Sequence, residues 1–286
     1  MGTDLLLGTI VDTLMLGMFY VLVATGLTLV YSILDIVNFA HGEFYMFGGF
    51  VSYVFFSHYH LNYFLVLILA FVLVGAFALL VEKLIFKRYR GQILPAFIAS
   101  LGLVWTFREI IRLVFGNWDK AMPVAFPGTV TLGRVSLPTE RVVITLIGAG
   151  LISTLYVVIR WTRFGRAMRA IAQDREAALL QGVNIDSISA LAFGIGCGLA
   201  ATAGVLMGSM FYVSSTMGSS VILKSFLIII LGGLGSIPGC VLGALVLAFV
   251  DNFASVYLTV PMVTVATYSL VFLLLIFRPR GLLGHE

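Results

Sequence analysis

Apolar segments of about 20 residues recur along this sequence, separated by short polar connections. A helix needs about 20 apolar residues to cross the hydrocarbon core of a bilayer. Hydrophobic residues make up 60% of the 286 residues and charged residues 10%, whereas an average soluble domain has about 45–50% and about 25%. A water-soluble chain of this length could not bury so much apolar side chain. The sequence therefore predicts a polytopic membrane protein.

The apolar segments predict helices rather than strands. Lipid offers the backbone no hydrogen-bond partner, so only helices and closed barrels span a bilayer, and a barrel would show short alternating segments instead of long runs. We predict one all-α domain over residues 1–286, a bundle of about eight or nine transmembrane helices. The 220–235 segment is short enough to be re-entrant instead. The predicted spans are 5–31, 35–57, 62–82, 92–114, 141–159, 186–211, 220–235, 239–257 and 261–277.

Basic residues cluster at the ends of the predicted spans. Three clusters hold 11 of the 17 Lys and Arg residues, and these spans place all three on one side, which the positive-inside rule assigns to the cytoplasm. The N-terminus is then predicted outside and the C-terminus inside. Residues 116–140 become an external loop of turns or a small hairpin. The clusters are Lys83, Lys87, Arg88 and Arg90; Arg160, Arg163, Arg166, Arg169 and Arg175; and Arg278 and Arg280.

Motifs of several enzyme classes are missing from the sequence. It contains no G-x-x-x-x-G-K-[ST], so it has no P-loop of its own. H-E-x-x-H and G-x-S-x-G are also absent, which argues against common metal-dependent and intramembrane hydrolases. We expect a chain that is not an enzyme and has no cofactor or metal site of its own. Basic residues beside spans favour a membrane face over nucleic-acid binding.

One polar segment, "RAMRAIAQDREAALLQGVNID" at residues 166–186, interrupts the apolar pattern. Nothing from Gly165 to Gln181 breaks a helix, and Gly182 suits the position just after a helix. Asp186 is placed to cap the following span. The sequence therefore predicts one amphipathic helix within a cytoplasmic loop. Its predicted apolar face consists of Met168, Ile171, Ala178 and Leu179.

The charges of this segment have no partner within it. No opposite-sign pair falls at i,i+3 or i,i+4, where such pairs support a helix. Arg166 and Arg169 lie near the predicted helix N-terminus, where the helix dipole disfavours cations. Two interpretations remain open: lipid phosphates hold the arginines, or another protein docks on the helix.

The stretch "DIVNFAHGEF" at residues 35–44 places Asp35, Asn38, His41 and Glu43 at the start of an apolar run. Asp35 or Asn38 could cap the helix. Alternatively, Asn38, His41 and Glu43 line a pathway or its inner gate, because ionisable groups at membrane depth are expensive to bury. A metal site is not expected, since His41 and Glu43 at i,i+2 do not share a helix face.

The stretch "LGGLGSIPG" at residues 231–239 breaks the helical pattern. Its glycines and proline cannot continue a regular helix. It is either a plain turn between helices or a discontinuous helix that lines a pathway, as in many transporters. The candidate residues are Gly232, Gly233, Gly235, Ser236 and Pro238.

A few charged residues lie alone in apolar runs. Asp12 and Asp251 favour hydrogen bonds to neighbouring helices over a proton relay, and Lys224 is predicted to extend outward to the interface. Glu109 and Arg112 have the spacing of a helical ion pair. Small residues along 186–211 predict close helix packing.

Three blocks of the sequence resemble the branched-chain amino acid ABC importer permeases of the LivH type. They are "GLTLVYSILDIVNFAHGEFYMFGG" (26–49), "GRAMRAIAQDREAALLQGVNIDSISALAFGIGCGLAATAGVLMG" (165–208) and "LGGLGSIPGCVLGA" (231–244). The resemblance implies the ABC importer permease fold in a bacterial inner membrane. It also implies a second related permease, two cytoplasmic ATPases that carry ATP and Mg, and a periplasmic binding protein.

The resemblance further implies that the cytoplasmic loop 160–185 is the coupling loop that docks on an ATPase. The external loop 116–140 departs from the family pattern, and close relatives carry urea or short amides, so these substrates remain an alternative. A secondary transporter or channel remains a third alternative. The residues implied in coupling are Arg166, Arg169, Asp174, Arg175, Glu176 and Gly182.

Overall fold

A computed structural model describes residues 3–132, 135–278 and 281–283. Arg280 of the third basic cluster lies outside these residues. The described chain is dominated by helices, as predicted. The α-helices are α1 (Thr3–Leu34), α2 (His41–Ser52), α3 (Tyr63–Leu84), α4 (Ile93–Phe115), α5 (Thr139–Trp161), α6 (Arg163–Gln173), α7 (Arg175–Leu180), α8 (Ile185–Gly208), α9 (Met217–Gly232), α10 (Ile237–Ser255) and α11 (Val260–Phe277).

Seven of these helices are long and apolar enough to cross a membrane: α1, α3, α4, α5, α8, α10 and α11. The other two predicted spans contain shorter helices. Helix α2 has 12 residues and continues into a π-helical segment, Tyr53–His58; α9 has 16 residues. At 1.5 Å per residue, α9 alone is about 24 Å long, shorter than the hydrocarbon core of about 30 Å. Every predicted span thus coincides with a helix, and two of the helices are short.

Helices α1 and α8 form the centre of the bundle. In the most apolar stretch of each, 83% of the residues are buried, against 11% in α11. Helix α8 packs on α1, α2 and α3, and α1 also packs on α10. The predicted close packing of the small residues is confirmed, because Gly26 and Gly196 bring the main chains of α1 and α8 into contact.

Helix α2 begins inside the bundle rather than at its edge. After α1 ends at Leu34, residues 35–40 are not helical. His41 Nε2 then lies 3.1 Å from the carbonyl oxygen of Val23, which is 11 residues before the end of α1, or about 16 Å along it. The predicted span 35–57 was therefore wrong at its start, because residues 35–40 run back along α1 without forming a helix.

Short strands organise the predicted external loop, and the predicted hairpin is confirmed. Strands β2 (Thr129–Leu132) and β3 (Val135–Pro138) pair antiparallel. In addition, β1 (Lys120–Ala121) pairs with β4 (Tyr212–Val213). This second pairing joins the loop to the connection between α8 and α9.

Charged residues within the bundle are paired. Asp251 Oδ2 accepts hydrogen bonds from Tyr20 and from Lys224, each 2.7 Å long, and Asp251 Oδ1 accepts one of 2.7 Å from Thr267. The predicted bonding of Asp251 to neighbouring helices is confirmed. The prediction for Lys224 was wrong, because its ammonium group turns inward to a carboxylate 27 residues away. Two more of the ion pairs are Asp12–Arg141 and the predicted Glu109–Arg112.

Candidate functional site

The loop between α5 and α8 contains two helices, α6 and α7, instead of the predicted single helix from 165 to 181. The break is at Asp174, whose backbone is extended (φ −154°, ψ 109°). Asp174 Oδ1 accepts hydrogen bonds from the amides of Glu176 (2.9 Å) and Ala177 (3.0 Å). An aspartate that bonds to amides two and three residues ahead caps a new helix in place of continuing the old one.

Helix α6 is fastened to the end of α5. The hydroxyl of Thr162 accepts a hydrogen bond of 3.1 Å from the amide of Gly165 and caps α6. Arg169 donates to the carbonyl oxygens of Ile159 and Arg160 at the C-terminus of α5. These carbonyls have no partner within a helix and carry the negative end of its dipole. Arg169 is the seventh residue of α6, beyond the first turn in which a helix dipole acts. The prediction that it lies near the helix N-terminus was therefore wrong, and its charge is favourable towards α5.

The outward side of this loop combines charge and apolar surface. Arg166, Arg175 and Glu176 are exposed. Leu179 and Leu180 are 61% and 87% exposed. Met168, Ile171 and Ala178 are buried as predicted, but Leu179 was wrongly placed on that face, because the break at Asp174 changes the direction of α7.

Gly182 ends α7 as predicted, with φ +78° and its amide bonded to Leu179. The capping prediction for α8 was wrong by two residues. Asn184 is the cap, accepting a hydrogen bond of 3.1 Å from the amide of Ser187. Asp186 lies in the first turn of α8, where its side chain is available for other partners.

Asp186 ties the start of α8 to the end of α3. Its carboxylate forms ion pairs with Lys87, at 2.7 Å, and with Arg90. Arg90 also pairs with Glu82, whose side chain is completely buried at the end of α3. The loop is thus attached to α5 at one end and to α3 and α8 at the other.

Asn38 and His41 are buried within the subunit. Asn38 Oδ1 accepts a hydrogen bond of 3.1 Å from the amide of Ala40 and forms a local turn before α2. The ring of His41 lies between α1 and α8, with Nδ1 3.7 Å from Cys197 Sγ. These contacts fix the start of α2 inside the bundle.

Glu43, the third residue of α2, faces α4 and α9. Arg108 Nη2 of α4 donates to Glu43 Oε1 (2.9 Å) and to Ser219 Oγ of α9 (2.6 Å). The guanidinium also lies 5.5 Å from the ring of Trp105. Sequence reasoning missed Arg108 as the partner of Glu43; its signal was an arginine beside Glu109 within an apolar run, 65 residues from Glu43.

Aromatic side chains also bridge α4 and α9. Phe39 lies between Phe97 of α4, with ring centroids 5.4 Å apart, and Phe226 of α9, at 4.7 Å. Helices α4 and α9 both contact α2 but make few contacts with each other. We call this boundary the α4–α9 seam, and its bridging residues are Phe39, Glu43, Phe97, Arg108, Ser219 and Phe226.

The stretch 231–239 forms the turn between α9 and α10, one of its two predicted alternatives. Gly233 and Gly235 have φ values of +102° and +83°, where glycine avoids strain. Ser236 caps α10 by accepting from the amide of Gly239 (3.2 Å), and Pro238 lies in the first turn. A role for these residues in a pathway stays a prediction.

The family described as branched-chain amino acid transport system / permease component matches residues 9–278. The chain belongs to this family. The resemblance seen in the three sequence blocks is therefore confirmed, and the chain is a multi-pass permease component of a transport system. No solved structure matches it significantly.

Curated relatives of this permease component cover nearly its whole length. It is 34% identical to the high-affinity branched-chain amino acid transport system permease protein LivH of Escherichia coli K12, over 94% of the chain and 92% of the relative. It is 32% identical to BraD of Pseudomonas aeruginosa PAO1, over 96% and 95%. The probable LivH of Methanocaldococcus jannaschii is 26% identical, over 83% and 78%.

Proposed function

We propose that this permease component is the membrane-spanning subunit of an ABC importer for branched-chain, hydrophobic amino acids in a bacterial inner membrane. It works with a second related permease, two cytoplasmic ATPases that bind ATP and Mg, and a periplasmic binding protein. Its N-terminus lies outside and its C-terminus in the cytoplasm. The observation that carries the proposal is the loop formed by α6 and α7, which offers unpaired charges and exposed leucines beside the basic ends of the spans.

The coupling surface consists of Arg166, Arg175, Glu176, Leu179 and Leu180. Exposed leucines beside charges of both signs suit a protein groove better than a lipid surface, which would favour cations alone. Two other residues of the predicted coupling set act within the chain, Arg169 as a clamp on α5 and Asp174 as the cap of α7. They shape the surface that the ATPase contacts.

Movement of the ATPases passes from this loop into the bundle through both of its attachments. Arg169 and Thr162 attach α6 to α5, whereas Asp186 and Arg90 link α8, which directly follows α7, to the end of α3. Helix α8 carries the movement furthest, since it is buried against α1, α2 and α3. A helix held by main-chain contacts moves with its neighbours, so α2 and α8 shift as one unit.

The substrate crosses along the α4–α9 seam, which the second permease covers. Glu43 lies in this seam, and Asn38 and His41 hold the start of α2 behind it. The turn formed by Gly232, Gly233, Gly235, Ser236 and Pro238 borders its cytoplasmic end. Opening the seam requires α2 to move relative to α4 and α9, which the coupling of α2 to α8 supplies.

Charge reversal on the coupling surface tests the proposal. We expect Glu176→Arg to reduce co-purification of the ATPase and ATP-dependent leucine uptake at least about tenfold, equivalent to about 1.4 kcal/mol. Glu109→Arg makes the same charge change at the far end of α4 and should leave both unchanged. Unchanged assembly of the Glu176→Arg complex contradicts docking at this surface. It would favour the alternative interpretation, in which the arginines of the loop bind lipid phosphates.

The alternative substrates are urea and short amides. Uptake into proteoliposomes with a purified binding protein of known ligand separates them from leucine, isoleucine and valine. Uptake that proceeds without ATP, driven by an ion gradient, would instead assign the permease to the secondary transporters.

A further inference from the structure

The ion pair between Glu43 and Arg108 lies deep in the bundle. Arg108 is seven residues before the end of α4 at Phe115, about 10 Å from it along the helix, and Glu43 belongs to a helix that itself begins inside the bundle. The two side chains are 2% and 13% exposed. Buried ion pairs seldom stabilise a fold more than apolar residues of similar size do, and ionisable groups at membrane depth usually serve a pathway.

Both members of this pair have spare hydrogen-bonding capacity. Glu43 Oε2 and Arg108 Nε are buried and have no hydrogen-bond partner within the part of the chain that the structure describes. Native structures rarely leave such groups unpaired. Glu82 Oε2 and Arg90 Nε are left in the same way, but Glu82 and Arg90 are not residues of the α4–α9 seam. A carboxylate oxygen that can still accept and a guanidinium nitrogen that can still donate therefore lie side by side in the seam.

The surroundings of the pair are apolar and aromatic. Trp105, next to Arg108, is 63% exposed. On α4, Phe97 lies 11 residues before Arg108, about 16 Å away along the helix, and on α9, Phe226 lies seven residues after Ser219, about 10 Å away. A molecule that moves along the seam would thus first contact the charged side chains of Glu43 and Arg108. It would then contact the aromatic rings of Phe39, Phe97 and Phe226.

We propose that Glu43 and Arg108 recognise the zwitterionic head group of an α-amino acid within the membrane. The substrate carboxylate binds the guanidinium of Arg108, which suits bidentate recognition, and the substrate ammonium binds Glu43. The two charges of the substrate replace the bond between Glu43 and Arg108, which loosens the link between α2, α4 and α9. This inference rests on the proposed function and deepens it.

Neutral ligands should bind to this site differently from zwitterionic amino acids. Urea and short amides carry no charges that could replace an ion pair. A permease that broke the pair to bind them would lose the electrostatic energy of the pair without compensation. A zwitterion carries an anion and a cation in the same molecule. These match the guanidinium nitrogen of Arg108 that can still donate and the carboxylate oxygen of Glu43 that can still accept. The site should therefore require both the carboxylate and the ammonium of its ligand.

The test measures binding of radiolabelled leucine to the purified complete importer without the binding protein. We expect 4-methylpentanoate and 3-methylbutylamine, which lack the ammonium and the carboxylate, to compete at least about tenfold more weakly than leucine. Arg108→Gln and Glu43→Gln should each weaken leucine binding at least about tenfold. Arg112→Gln, one turn further along α4, should bind leucine as the unaltered importer does.

Two controls keep a structural effect apart from recognition. Glu43→Gln can still accept the hydrogen bond from Arg108, and Arg108→Lys keeps the charge, so both should assemble with the ATPases as the unaltered permease does, which separates lost recognition from lost folding. Undiminished leucine binding in Arg108→Gln, equal competition by the two analogues, or no leucine binding by an importer that transports leucine overturns the inference. Failure of the unaltered importer to transport leucine with ATP instead overturns the proposed function.

Discussion

Gly204 of α8 lies directly against the main-chain carbonyl of Tyr45 in α2, and a methyl group on Gly204 would overlap that oxygen. The amide nitrogen of Gly49, one turn further along α2, would lie 3.0 Å from the same methyl group. The two helices therefore pack main chain against main chain, which only glycine permits. This contact links α8, which follows the loop of α6 and α7, to α2, which carries Glu43.

Replacing Gly204 with leucine should separate α2 from α8. We expect a loss of stability of at least about 1–3 kcal/mol, the range typical of overpacking, because the neighbour is main chain and cannot turn aside. Thermal unfolding of the purified permease measures this loss. Gly150→Leu in α5 is the matched control, since nothing lies within 4 Å of its added carbon; equal stability of the two variants would contradict the packing.

Lys224→Met should destabilise the bundle because it removes the counter-charge of Asp251. Asp251 would remain buried with its charge uncompensated, which costs about 3–5 kcal/mol. Adding Asp251→Asn should recover part of the loss, because the neutral amide needs no counter-charge. Protein yield and unfolding temperature report the effect, with the exposed Lys83→Met as control. A double variant less stable than Lys224→Met would show that the ion pair is not the cause.

Asp174→Ala should destabilise the loop of α6 and α7 and leave the spans unchanged. Loss of a helix cap costs about 0.5–2 kcal/mol, and α7, with six residues, has few other contacts to hold it. We expect faster proteolysis between α6 and α7 and weaker ATPase co-purification. Asp174→Asn keeps the capping oxygen and should behave as the unaltered chain; the same defect in Asp174→Asn would assign the effect to charge.

The C-terminal segment should stabilise the end of α9. The amides of Leu282 and Leu283 donate to the carbonyl oxygens of Leu231 (2.8 Å) and Gly232 (3.0 Å), which the helix itself leaves unpaired. Gly281, at φ +78°, packs on Gly233. Gly281→Val should displace the segment and increase hydrogen exchange at the end of α9, whereas unchanged exchange there would show that the segment only rests on it.

The helices and the hairpin of β2 and β3 could be predicted because their signals are local. Apolar length gives the spans, and the composition of residues 116–140 gives the turn-rich loop. Gly182 was predictable for the same reason, since the position after a helix favours glycine. The break at Asp174 was missed because aspartate is tolerated inside a helix and also caps one, and the sequence alone does not say which occurs.

The contacts of the candidate site could not be predicted, because they join residues far apart in the chain. Arg108 and Glu43 are 65 residues apart, and Lys224 and Asp251 are 27 apart. The pairing of Arg108 with Glu43 depends on where α2 begins, and no local signal places His41 beside Val23 rather than at the end of α1. Composition identified these residues as unusual, and only the packing of the helices identified their partners.

The central claim is that the loop of α6 and α7 couples this permease to a cytoplasmic ATPase. The most direct measurement is the co-purification of the ATPase with the Glu176→Arg and Glu109→Arg permeases, together with ATP-dependent leucine uptake by each complex. We predict that Glu176→Arg loses the ATPase and the uptake and that Glu109→Arg keeps both. Full assembly and full uptake in Glu176→Arg would contradict this account.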